Sequence, residues 1–416
     1  MIASTALFNL SEVAFSAYAN LTAGTTASVA NISALTQTGL AARQAAEFSK
    51  RYTDVVIPTY HDPSSDLDVT VFKDGSGNLT LGIRGTLPGH DLTVTDVQIA
   101  MYGAGYDQIV ALYNWWKKVN TPVGQQVAQF ALVEYPNGDT VTPPFGAVKL
   151  YPTSMAFGGQ SMYLVSASPI TASGELTALL TADPDHKIDV TGHSLGAHLT
   201  LAFNAMFGSS VGQAAGFDTP GFLNGAVNQA FFAALGGSVP TSANSGNFTS
   251  VIADEARIGD KPFAAVAGLW SRPGTAVDIG IENQWLSDEP VPETTLNHSM
   301  KMLADSLAVF NLLASLDPSL STSSYKLLLN GAASGTAASY ERLLDAAARI
   351  FAINQALPPT GNDQRDALYL ALYGVQASSA FQSIAGKVRI DPSAGIEPPR
   401  VSWRLFGLNQ AATVVA

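Results

Sequence analysis

The apolar positions of the chain change period several times, and each change marks an element. Residues 5–50 form an Ala/Thr/Ser-rich stretch whose apolar spacing predicts helices. The segment DVTVFKDGSGNLTLGIRGT alternates apolar and polar residues on both sides of Asp74-Gly75-Ser76-Gly77-Asn78, which predicts a hairpin. A calcium loop is the sharper reading of those polar residues, but the alternating flanks favour a turn. TDVQIAMYGAGYDQIVALYNWWKKV is helical with an interruption at Gly103 and Gly105, and its stripe of Tyr106, Tyr113 and Trp116 reads as core. Residues 120–175 are rich in Pro, Gly, Ser and Thr and poor in charge, so this insertion is either a lid or substrate-groove wall, or extra hairpins on the scaffold. A helix at 174–182, a short buried strand at 188–190 and an apolar helix at 195–203 follow. Strands are expected within GQAAGFDTPGFLN and NFTSVIADEARIGDKPFAAVAG, and amphipathic helices over 299–317 and 338–357. Residues 385–416 show no period. Strands alternating with helices predict an α/β fold with a largely parallel central sheet flanked by helices. The expected division is a helical segment 1–60 packed on the core, a main domain 61–320 with the insertion 120–175, and a mostly helical extension 321–416.

Composition narrows the class. The 416 residues are 47% hydrophobic and 13% charged, with a net charge of −12. The charge and the lack of a basic cluster exclude nucleic acid as the expected partner. Mean hydropathy is +0.17, yet no run of about 18 uncharged apolar residues predicts a membrane span. Small residues carry much of that hydropathy, which suits a large apolar pocket, a surface that faces lipid at a lipid–water interface, or an Ala-rich helical core. The absence of cysteine removes disulfides and thiolate metal sites. MIASTALFNLSEVAFSAYANL has no basic start and contains Glu12, so it reads as an amphipathic helix rather than a cleaved secretion signal. The expectation is secretion without a cleaved N-terminal signal, by a type I-like route, over a cytoplasmic location.

KIDVTGHSLGAHLTLAF carries the chemistry. Strand, Gly-x-Ser-x-Gly and helix in that order leave Ser194 at the tip of a tight turn, with Gly192 and Gly196 allowing strand and helix to approach. The following helix aims its N-terminus at whatever the serine attacks, which favours a developing oxyanion. A serine hydroxyl needs a neutral imidazole to take its proton and a carboxylate to orient that imidazole. The six histidines are 61, 90, 186, 193, 198 and 298. His61 and His90 lie in loops upstream, His186 at the far end of the strand, His193 on the wrong side of the elbow, and His198 points back along the helix. In proteins with this elbow the order is serine, acid, histidine, which selects His298, in PETTLNHSMKML, as the base.

Several segments resemble a known family. LGIRGTLPGHDLTVTDV resembles the Arg-Gly-Thr strand and following aspartates of class 3 (triacylglycerol) lipases, VTGHSLGAHL their elbow, and RIGDKPFAAV their acid segment. The run from His298-Ser299 to Asp305-Ser306-Leu307-Ala308-Val309 is similar to lipases, and lipase-like domains, of type I-exported bacterial proteins. The resemblance spans roughly residues 65–315. It implies an α/β-hydrolase fold, with the backbone N–H groups of Thr86 and Leu195 as oxyanion donors. For the acid, Asp260 matches the class 3 segment because Pro262 and Phe263 follow it. Asp218, after a strand, resembles the acid of animal pancreatic-type lipases, and Asp254 ends the apolar run TSVIAD; all three stay open. The long insertion, and Leu92 after Asp91 where an aromatic is common, depart from the family and bear on substrate class. The expected function is a serine carboxylic-ester hydrolase, a lipase or esterase cleaving lipid-like esters through an acyl-enzyme, with no metal and no organic cofactor. Phospholipase A1 activity, acyl transfer to an alcohol, and a non-catalytic lipid-binding module on a hydrolase scaffold are the alternatives.

Overall fold

In the computed structural model, residues 2–87, 94–137, 141–153, 159–183, 185–253, 257–258, 261–262, 270–281, 298–332, 339–350, 365–393, 400–405 and 411–415 are described. The chain opens with α1 (Ser4–Ser16), a two-residue strand β1 (Gly24–Thr25), α2 (Val29–Thr38) and α3 (Ala42–Arg51). The helical reading of this region ends at Arg51, because Tyr52 begins β2 (Tyr52–Asp62), which pairs antiparallel with β3 (Leu67–Asp74). The expected hairpin comes next: β3 pairs with β4 (Leu79–Ile83), and Asp74 closes the turn itself, its Oδ1 accepting from the amides of Ser76 and Asn78. That is an Asx-type turn, in which a side chain substitutes for backbone pairing.

The helices α4 (Asp96–Tyr102) and α5 (Tyr106–Val119) are broken at Gly103. Gly103 has φ +74, and a Cβ there would press on Leu223, so the helix stops where the backbone must turn left-handed and close. Tyr106, Tyr113 and Trp116 are core residues, as expected. The insertion forms a three-stranded antiparallel sheet in which β7 (Gln160–Thr171) lies between β5 (Gln126–Pro136) and β6 (Val148–Pro152). The described residues of 120–175 are thus mostly strands of a small antiparallel sheet. The sheet seats on the scaffold through Tyr151, whose ring stacks on Tyr102 and Tyr106, and through the side chain of Asn114 on the backbone of Phe130.

After α6 (Thr177–Ala182) the chain returns to the main sheet with β8 (Ile188–His193), α7 (Leu195–Phe207), β9 (Val211–Phe217), α8 (Ala226–Ala234) and β10 (Phe248–Ala253). A two-residue ladder, β11 (Arg257–Ile258) with β12 (Lys261–Pro262), precedes β13 (Thr275–Ile279), a strand the apolar pattern did not announce. The sheet is mixed and eight-stranded, ordered β1-β2-β3-β4-β8-β9-β10-β13; its first three pairings are antiparallel and the remaining four parallel. With helices on both faces, this is an α/β fold. The period-two alternation of each strand divides the core. Ala214 belongs to the apolar cluster under α5, α7 and α8, whereas its neighbour Ala215 belongs to the cluster under α1 and α9 (Met300–Leu316). Among the described residues, four further helices follow, α10 (Thr322–Ala332), α11 (Ser339–Ile350), α12 (Arg365–Ala377) and α13 (Ser379–Ile384), and then a three-stranded sheet of β14 (Val388–Ser393), β15 (Arg400–Leu405) and β16 (Ala411–Val415).

The first helix is not amphipathic in its setting. α1 runs between the main sheet and α9, and residues on nearly every side of it are buried. Gly82 of β4 makes this fit possible, since a Cβ there would crowd Val13 and Ala17. Glu12 is fully buried and ion-paired with Arg51. Close by, Arg365 grips Asp305 of α9 with two bonds of 2.7 and 2.6 Å and reaches Gln44 at 3.1 Å, so buried charges tie the N-terminal helices to α9 and α12. Among the described residues no helix is long and apolar enough to cross a membrane.

Candidate active site

Ser194 sits where β8 becomes α7, at φ 55 and ψ −122. A non-glycine residue there carries backbone strain of order 1–3 kcal/mol. The surroundings impose it: the Ser194 amide donates to the carbonyl of Phe217 in β9 at 2.8 Å, and its carbonyl accepts from Ala197 and His198 at the start of α7. The motif glycines are required by contact. A Cβ on Gly192 would collide with the Gly196 backbone, and one on Gly196 would collide with the carbonyls of Ile83 and Arg84. This packing brings the Arg84-Gly85-Thr86 segment at the end of β4 against the elbow, with Leu195 on the other side as the first residue of α7.

The Arg-Gly-Thr segment is itself anchored. Arg84 is ion-paired with buried Asp68 and donates to the Asp66 carbonyl at 3.0 Å, while His61 reaches the same Asp68 at 2.8 Å. Thr86 donates its hydroxyl to the Asp96 carboxylate at 3.1 Å.

His298 lies just before α9. Its Nε2 is 2.8 Å from Ser194 Oγ, and its Nδ1 faces Asp218 Oδ2 at 4.0 Å. The serine hydroxyl donates to Nε2 when the imidazole is neutral with its proton on Nδ1, the tautomer that matches an acid on that side. Asp218 follows β9 with φ 51, its amide bonded to Val251 of β10 at 2.8 Å. The carboxyl group is fully buried and makes no hydrogen bond among the described residues. Burial pushes it up to about 8, against the opposing pull of the Ala253 amide and the Arg272 guanidinium. Burial also lowers His298 below the usual imidazole range, keeping it a neutral base.

Of the residues singled out in the sequence, Ser194, His298 and Asp218 converge, and Thr86 and Leu195 flank them. Asp254, Asp260 and His90 lie outside the described residues. His198 is structural: the Gly105 amide donates to its Nε2, its Nδ1 donates to the Pro220 carbonyl, and its ring stacks on Phe222 at 3.9 Å. Burial lowers it to about 4.

His193 does more than its place on the wrong side of the elbow suggests. Its Nε2 is 2.9 Å from the carbonyl oxygen of His298, and its Nδ1 is 2.8 Å from the Tyr18 hydroxyl. The only sequence signal is its position beside the serine, because Tyr18 lies 175 positions away. His193, Asp218 and His298 also offer three ligand atoms within 4.8 Å of one another. A metal there would compete with the serine's base and with the bond from His193 to the His298 carbonyl, so the donor set fits a proton-transfer site better than a metal centre.

No family model and no curated protein matches the chain. One solved structure with a likeness to it is the crystal structure of Lip2 lipase from Yarrowia lipolytica, with a TM-score of 0.32 and 15% identity over 71% of this chain and 82% of that one. A likeness that slight carries no argument about activity; the geometry around Ser194 does.

Proposed function

We propose that the protein is a serine hydrolase of carboxylic esters, built on an α/β-hydrolase fold. The observation that carries this reading is the 2.8 Å contact between Ser194 Oγ and His298 Nε2 at a strained strand-to-helix turn. Ser194 Oγ attacks the acyl carbon while His298 Nε2 takes its proton. The resulting imidazolium is stabilised by the Asp218 carboxylate facing Nδ1. The amides of Thr86 and Leu195 receive the oxyanion. The alcohol departs with the proton from His298, and water then cleaves the acyl-enzyme with the same base. Catalytic hydrogen bonds commonly tighten from resting to transition-state geometry; in the resting structure Asp218 Oδ2 stands 4.0 Å from His298 Nδ1.

An apolar acyl group suits the surroundings. A cleft of about 450 Å³ opens beside the site, with Phe15, Tyr18, Leu87 and Met300 in its walls together with the polar Thr38, His193, Ser299 and Lys301. Lipid-like esters are therefore the expected substrate class.

A fluorophosphonate probe should label wild-type protein at Ser194 and leave Ser194→Ala unlabelled, and p-nitrophenyl esters of increasing chain length should be hydrolysed by wild type alone. Absence of both labelling and turnover in the wild type would refute the reading and leave a lipid-binding scaffold. Alkyl ester products in the presence of added alcohol would mark acyl transfer instead.

A further inference from the structure

His298 is held at two points by two consecutive residues. Ser194 Oγ meets its ring at 2.8 Å, and His193 Nε2 meets its main-chain carbonyl at 2.9 Å. That second bond has a definite direction. A carbonyl only accepts, so His193 carries its proton on Nε2, and its Nδ1 accepts from the Tyr18 hydroxyl at 2.8 Å. Burial lowers His193 to about 3, so it stays uncharged whatever His298 does during turnover.

The tie acts on the backbone just ahead of a helix. α9 begins two residues later, and Ser299 at its N-cap makes no side-chain capping bond. The Tyr18 hydroxyl, in turn, occupies space that only a glycine at position 85 leaves open. A Cβ on Gly85 would collide with that hydroxyl and with the His193 carbonyl. One small residue of the Arg-Gly-Thr segment therefore accommodates both the elbow and the tyrosine that bonds to it.

We propose that Tyr18 and His193 are positioning residues, a hydrogen-bonded relay from the end of the N-terminal helix to the backbone of His298 that holds its imidazole over the Ser194 hydroxyl. Neither group touches the reacting atoms. The His298 carbonyl sets the tautomer of His193, and the Tyr18 hydroxyl, donating to Nδ1, holds the ring in the orientation that aims its Nε2–H at that carbonyl. Without the hydroxyl, the His193 ring keeps one of its two anchors and can turn its Nε2–H away from the carbonyl. In its kinetic consequence, this inference rests on the ester-hydrolase reading.

The test compares Tyr18→Phe, His193→Leu and His193→Gln in the full chain by ester kinetics and by ¹⁵N NMR of labelled histidine. Misplacing a catalytic group by about 1 Å costs on the order of a hundredfold. Accordingly, kcat should fall about tenfold in Tyr18→Phe and about a hundredfold in His193→Leu, with KM nearly constant. His193→Gln, whose amide N–H can still donate to the carbonyl, should recover most of the loss. The ring nitrogen resonances of His298 should move in Tyr18→Phe and His193→Leu while the melting temperature stays close to wild type. Wild-type kcat in both, with unmoved His298 resonances, overturns the relay. If the wild type turns over no ester, the hydrolase reading falls, and the nitrogen spectra by themselves decide the relay.

Discussion

Replacing Asp218 by Asn keeps the shape of the site and removes one charge. In the resting structure Asp218 Oδ2 lies 4.0 Å from His298 Nδ1. At an effective dielectric of about 20, a charge pair at that separation is worth about 4 kcal/mol. The pair exists only while His298 is protonated, so the whole amount counts toward the transition state, and at 1.36 kcal/mol per tenfold it corresponds to about 10³ in kcat. Closure to hydrogen-bonding distance would raise the figure to about 6 kcal/mol, or roughly 10⁴. The size of the loss in Asp218→Asn thus reports whether the gap closes during reaction. The assay is saturating hydrolysis of a p-nitrophenyl ester, with Asp254→Asn and Asp260→Asn alongside. A loss below tenfold in Asp218→Asn, with a large loss in either of the others, would refute the assignment of the acid.

The same residue sets a pH dependence. Burial pushes Asp218 from 3.8 up to about 8, so the charged form is complete only above that value. Wild-type kcat/KM should therefore rise with pH through about 8 and level off above it. Asp218→Asn should lack this limb and keep only the one set by His298, whose midpoint lies below 6.5. Stability moves the opposite way. The folded protein binds this proton more tightly than the unfolded chain, so the stabilisation is full below pH 3.8, declines above it and is lost as pH passes about 8. Asp218→Asn should accordingly gain in melting temperature relative to wild type between pH 5 and pH 9, and an unchanged difference would contradict the burial argument.

Three other substitutions bear on separate parts of the structure. Gly196→Ala drives a Cβ into the carbonyl of Ile83 and to 2.8 Å from the Arg84 carbonyl, so it should destabilise by about 3 kcal/mol or more and abolish activity; a wild-type thermal melt would contradict the close approach. Thr86→Pro removes the backbone donor and should cost about 10²–10³ in kcat, whereas Thr86→Ser keeps both donor and hydroxyl and should stay near wild type. Equal losses in the two variants would show that the amide is not the donor. Arg365→Leu leaves the Asp305 carboxylate buried without its two-bond partner and should cost about 3–5 kcal/mol in chemical denaturation, most of it recovered when Asp305→Leu is added. No recovery in the double variant would mean that the loss is one of packing.

What the sequence determined by itself was local. The turn at residues 74–78 is closed by the side chain of Asp74, within its own five residues. The helix break at Gly103 and the elbow at Ser194 follow from where glycine is needed and where it stands. The choice of His298 came from chain order, which is also a linear property. Tertiary structure adds what linear order does not contain. Of the three aspartates that follow apolar runs, Asp218 comes within 4.0 Å of His298 Nδ1 because β9 lies beside β8 and its end faces the start of α9, while Asp254 and Asp260 lie outside the described residues. The insertion became an antiparallel sheet through pairings between strands whose register no single segment contains. α1 lost its solvent face because β4 and β8 cover one side and α9 the other. The role of His193 was invisible for the same reason. Its ring gains meaning only from a hydroxyl 175 positions before it and a carbonyl 105 positions after it. Backbone propensity acts between neighbours, whereas hydrogen bonds and burial act between whatever packing brings together.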